Sequence, residues 1–155
     1  MEMEDKKMKP QVLNIIIAGL YLLVVLAGCA ASAPVVNIEG AWGRLSPTVA
    51  GSGAFYMLIK NSGGTPDRLL SASSPICGMT EIHETVKGDN DVMMMRKVAQ
   101  PLVVPANGQV ELKVGGTHVM CMELKSDPFK PGSTVEITLV FEKTGEKKVS
   151  AEIRQ

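Results

Sequence analysis

From residue 37 onward, apolar residues come in short runs broken by Gly, Pro, Asn, Asp and Ser clusters. Within the runs the pattern alternates with a period of two, as in a strand with one buried face. It predicts strands over residues 37–45, 53–60, 68–72, 79–86, 92–98, 102–104, 109–114, 117–124, 134–141 and 147–153. Asn61 to Asp67, Lys87 to Asp91, Pro105 to Gly108 and Pro131 to Ser133 supply the turns. No long stretch after residue 36 has helical periodicity. Many short strands at close spacing predict an all-β sandwich or barrel. Parity places Ile38 and Trp42 on one face of the first strand. It separates Glu81, His83 and Thr85 from Thr80, Ile82 and Glu84, and sets His118, Met120 and Met122 along one side of their strand.

The pattern before residue 37 is different. Lys6, Lys7 and Lys9 precede an unbroken apolar run from Val12 to Gly28, the layout of a secretory signal. The run ends in Leu26-Ala27-Gly28-Cys29, which resembles the bacterial lipobox. That resemblance implies cleavage before Cys29 and lipidation of its thiol. The expected organisation is a signal peptide over 1–28, a lipidated cysteine and tether over 29–36, and one domain over 37–155. An uncleaved signal anchor is the alternative. Either way the folded part is expected outside the cytoplasmic membrane, in the periplasm or at the cell surface. In the lipoprotein case it is held to the membrane through the lipid.

Composition narrows the chemistry. A formal net charge of zero gives no basis for a nucleic-acid partner. One Trp, two Tyr and three Phe leave the core to Val, Leu, Ile and Met. Cys77 and Cys121 fall in an oxidising compartment, where either a disulfide or two buried thiols is open. The two histidines have no Ser, Cys or Asp placed beside them as a catalytic set, and C-x-x-C does not occur, so hydrolase and zinc-ribbon readings lack support. An enzyme is not expected.

What remains is thioether and imidazole. His118 and Met120 follow the Gly115-Gly116 turn, and His83 lies upstream of Met93-Met94-Met95. Thioether sulfur is a soft neutral donor that suits Cu(I) and binds hard ions poorly, while imidazole serves copper in either oxidation state. His83, Met95, His118 and Met120 are the candidate donors, with Met79, Met93, Met94 and Met122 nearby. Methionine as core filler is the competing reading.

Here the sequence resembles the periplasmic copper chaperones called PCu(A)C. The matching pieces are Gly53-Ala54-Phe55-Tyr56, Asp67-Arg68-Leu69-Leu70, Glu81-Ile82-His83-Glu84-Thr85, Met95-Arg96-Lys97-Val98, the run Glu111 to Met120, and Thr138-Leu139-Val140-Phe141. The family pattern is His, a spacer of about ten residues, Met, a spacer of about twenty-one, then His-x-Met. In this chain eleven residues separate His83 from Met95 and twenty-two separate Met95 from His118, one more in each gap. Met-Arg-x-Val favours Met95, with Met93 and Met94 as alternatives. The resemblance implies a cupredoxin-like Greek-key β-sandwich. It also implies a Cu(I) ligand set of His83, Met95, His118 and Met120, and copper delivery to the copper subunit of cytochrome oxidase or a Sco-type protein. Two other functions stay open: a copper-linked thiol–disulfide redox protein, and a structural sandwich without metal.

Overall fold

The computed structural model describes residues 11, 31–47, 49–88, 91–125 and 129–155. Apart from residue 11, the expected signal peptide over 1–28 lies outside the described residues, as does the expected lipidation site, Cys29. Residues 31–155 form one compact unit.

Ten strands make up that unit among the described residues: β1 (Val36–Leu45), β2 (Gly53–Asn61), β3 (Asp67–Ser73), β4 (Cys77–Lys87), β5 (Met93–Lys97), β6 (Leu102–Val104), β7 (Gly108–Leu112), β8 (His118–Leu124), β9 (Thr134–Phe141) and β10 (Gly145–Ile153). They match the ten expected runs to within two residues at each end. The strand order is β5-β4-β8-β2-β1-β10-β9-β3-β6, with β7 pairing β2 beyond β8. All neighbours are antiparallel except β1 and β10. Long crossovers, such as that from β2 to its partner β8, make this the cupredoxin-like β-sandwich that the resemblance implies.

The core explains the layering. Phe55 and Ile59 of β2, Leu112 of β7 and Val119 of β8 meet Leu69, Val104, Ile137, Leu139, Phe141, Ala151 and Ile153 from the other half of the sheet in one cluster. Because strands alternate faces, burying Phe55 and Val119 turns Ala54, Tyr56, His118 and Met120 to the opposite side. The outward face of the β5-β4-β8-β2-β1 layer is therefore set by where the core is.

One parity expectation fails. The β1–β2 register shifts between Glu39 and Trp42, where Gly40 has a φ of 59°. This bulge inserts one residue, so Ile38 faces the core opposite Ile59 while Trp42 lies opposite Tyr56 on the outward face. Unbroken alternation could not reveal it.

Residues 32–35, expected as tether, are bound to the β2–β3 turn. Asn61 Oδ1 accepts from the Val35 and Gly63 backbone N–H groups at 3.0 Å each. Ser32 Oγ accepts from the Gly64 N–H at 2.7 Å, and the Ser32 carbonyl accepts from the Thr65 hydroxyl at 2.7 Å. A Cβ at Gly63 would sit 2.1 Å from the Ala33 carbonyl oxygen, so only glycine permits this approach.

Asp67 closes the far end of the sandwich. Its buried carboxylate accepts from the backbone N–H groups of Arg68, Lys143 and Thr144 and from the Thr144 hydroxyl, at 2.8–3.0 Å. Burial alone would raise its pKa, but these bonds outweigh it and hold the group below the ordinary value of 3.8. The stability linked to this shift is present above the unfolded pKa and is lost as pH falls through the depressed folded value. Asp67→Asn should cost about 2–3 kcal/mol, because an amide NH2 then faces donors. Chemical denaturation at neutral pH measures this loss, which should shrink in acid as the wild-type carboxylate protonates.

Candidate metal centre

The outward face gathers the candidate donors by register. His83 lies opposite His118, and Glu81 opposite Met120, across β4 and β8. Thr85 lies opposite Met95, and Lys87 opposite Met93, across β4 and β5. On the other side Ala54 lies opposite Met120. A cleft of about 230 Å3 opens on this face, lined by Met93, Met95, His118, Met120, Tyr56 and Thr85 among others. Three of the four expected donors, Met95, His118 and Met120, line it. His83 is not among the lining residues, but its ring centroid is 6.0 Å from that of His118.

The candidate donors sit at different depths. His118 and Met120 are 4% and 5% exposed and form the floor. Met95 and Met93 are 48% and 59% exposed at the mouth, on the edge strand β5. Met94 alternates to the far side, where its Cε packs by Gly88, so it is not on the cleft face. The register therefore removes one of the two alternatives to Met95 and retains the other.

His118 is held ready to donate. Its Nδ1 donates to the Gly116 carbonyl at 3.1 Å, which leaves the Nε2 lone pair free. The same carbonyl accepts from the Thr85 N–H and hydroxyl, both at 3.3 Å. Gly115, with φ of 73°, makes the turn that presents it. Tyr56 flanks the ring at a centroid distance of 6.1 Å and is itself braced by Trp42 at 4.5 Å. These aromatics carry no metal-ligand signature. Only the bulged register of β1 and the parity of β2 could have placed them here.

Burial lowers the His118 pKa below 6.5. The bond to Gly116 opposes the shift, and repulsion from His83 adds to it. A neutral ring is the state a metal needs. With the folded pKa below the unfolded one, the associated stability is fully present above about 6.5 and is lost as pH falls through the depressed value. Ring proton NMR of the apo protein should give His118 a titration midpoint below that of an unperturbed histidine side chain.

His83 has a different setting. Its Nε2 lies 2.9 Å from Glu81 Oε2, and Glu81 Oε1 accepts from Lys97 Nζ at 2.7 Å. Lys97 first, then His83, holds the Glu81 carboxyl below its ordinary value. The imidazole keeps Nδ1 as its unengaged nitrogen. Among the described residues there is no group of three or more His, Cys, Asp or Glu side chains suited to a metal, and the candidate donors gathered on this face are thioether and imidazole. That set fits a soft monovalent ion and suits hard cations poorly.

Cys121 turns to the core face, away from Met120, and forms a disulfide with Cys77, with a Cα–Cα distance of 5.4 Å. Of the two expectations for these cysteines, the bridge is the one the structure contains. Cys121 is fully buried and Cys77 is 5% exposed, so the pair offers no accessible thiol for redox exchange.

Comparison with known proteins adds three relatives. The family model for LpqE-like lipoproteins matches residues 36–153. A protein of Leifsonia xyli subsp. xyli, named as a lipoprotein, is 30% identical over 133 residues, covering 77% of this chain and 76% of that protein. The apo PCuAC domain from PmoF1 is 30% identical with a TM-score of 0.64, covering 76% of this chain and 92% of that domain. The solution structure of CuI-DR1885 from Deinococcus radiodurans is 33% identical with a TM-score of 0.60, covering 83% of each chain.

Proposed function

The chain belongs to the LpqE-like lipoprotein family and to the PCuAC copper-chaperone domains, and from that membership we propose that it is a Cu(I) carrier working outside the cytoplasmic membrane. The observation that supports this most directly is the shared cleft of Met95, His118 and Met120 with His83 beside it. In this reading the four side chains are the ligands and copper is the cargo. His118 and Met120 hold from the floor, and exposed Met95 is the ligand released first. Transfer is ligand exchange with no change of oxidation state: a partner's donor binds the ion, a thioether leaves, and the ion does not pass through water. The acceptor is the copper subunit of cytochrome oxidase or a Sco-type copper protein. Residues 1–28 act as the signal and Cys29 carries the lipid, which suits a protein working beside membrane-bound acceptors.

Anaerobic titration with Cu(I) against a competing chelator tests the core of this reading. One equivalent should bind and raise the melting temperature, since a ligand specific for the native state stabilises it by about 2.7 kcal/mol at a free concentration 100 times Kd. Zn(II) under the same conditions should give a much smaller shift, because thioethers bind it poorly. No shift with Cu(I) would leave a structural sandwich whose methionines only pack.

A further inference from the structure

Met93 is more than the ligand set requires. It shares the cleft with Met95, His118 and Met120 and is the most exposed of the four. Strand alternation puts it on the same face as Met95, two residues and so roughly 7 Å further along β5 toward the β4–β5 turn. An exposed thioether is open to oxidation, whereas Leu or Val would fill the same space without sulfur.

We propose that Met93 is a transfer ligand: the outermost donor, which takes Cu(I) transiently as the ion passes between a partner and the deeper site. The inference rests on the Cu(I) reading of that site. Ligand exchange goes fastest when an incoming donor is within reach before an outgoing one leaves. Methionine has three rotatable side-chain bonds, so Met93 can approach an ion held by Met95 and also reach outward. Its sulfur donates a lone pair while the Met95 sulfur withdraws one, so charge and oxidation state are conserved at each exchange. Such a donor lowers the barrier in both directions and leaves the end states nearly unchanged.

The test is stopped-flow transfer of Cu(I) to and from a sulfonated bathocuproine chelator, with equilibrium competition on the same full-length proteins. Met93→Leu keeps the apolar bulk and removes the sulfur. Loading and release should both slow by about tenfold, while affinity stays within about threefold of wild type. Met94→Leu, equally apolar but on the other face, should leave the rates unchanged. Unaltered rates in Met93→Leu would overturn the proposal, as would equal slowing in Met94→Leu. A large loss of affinity in Met93→Leu would overturn it too, by making Met93 an equilibrium ligand. Failure of the underlying site reads differently: Met120→Leu would then bind Cu(I) as tightly as wild type.

Discussion

Met120→Leu is expected to weaken Cu(I) binding by at least about 100-fold, or ~2.7 kcal/mol, while leaving the apo domain folded. Met120 is 5% exposed on the cleft floor, between Ala54 of β2 and Glu81 of β4. Leucine nearly conserves volume there and should cost under about 1.5 kcal/mol of stability, so the variant separates loss of sulfur from loss of fold. His118→Ala should weaken binding further, because it removes the nitrogen that burial keeps neutral and that Gly116 orients. It also opens a cavity beside Tyr56, so its apo melting temperature must be read alongside its affinity. Chelator competition measures both affinities. If Met120→Leu bound as tightly as wild type, the floor of the cleft would not be the copper site.

Most strands were legible because they bury one face, which writes a period of two into the sequence; β2, buried or half-buried throughout, was legible from its aromatic and branched residues, and β5, exposed at all five positions, from the polar turn before it. The same periodicity put His118 with Met120, His83 with Glu81 and Thr85, and Cys121 on the opposite face, and the register agrees. What stayed hidden depended on events that alternation does not encode. The Gly40 bulge shifts β1 by one residue and brings Trp42 round to brace Tyr56. The Cys77–Cys121 bridge depends on a distance between segments 44 residues apart in sequence. Alternation separates Met94 from Met93 and Met95, but which of these faces meets the cleft needed the β4–β5 pairing, which brings Met93 and Met95 to it. Family spacing, one residue short in each gap, could not distinguish two methionines on one face.

The second large effect concerns that bridge. Replacing Cys77 and Cys121 together with alanine should lower the melting temperature by roughly 10–20 °C, corresponding to about 4 kcal/mol by the chain-entropy estimate for a loop of this length. Both must be changed, since one alone leaves a free thiol able to form mixed disulfides. The bridge ties β4 to β8, and these two strands carry His83 and His118 on their other face. Its loss therefore loosens the frame beneath the cleft without removing any donor from it. The double variant should still bind one equivalent of Cu(I) below its own melting temperature, with affinity reduced far less than in Met120→Leu. Calorimetry of the apo protein and Cu(I) competition at 15 °C separate the two quantities. Loss of Cu(I) binding from a folded double variant would instead assign the thiols as ligands, which would require Cys121 to leave the core face. An unchanged melting temperature would mean that the β-sandwich packing around Phe55, Val119 and Ile137 already holds the two strands in register without the bridge.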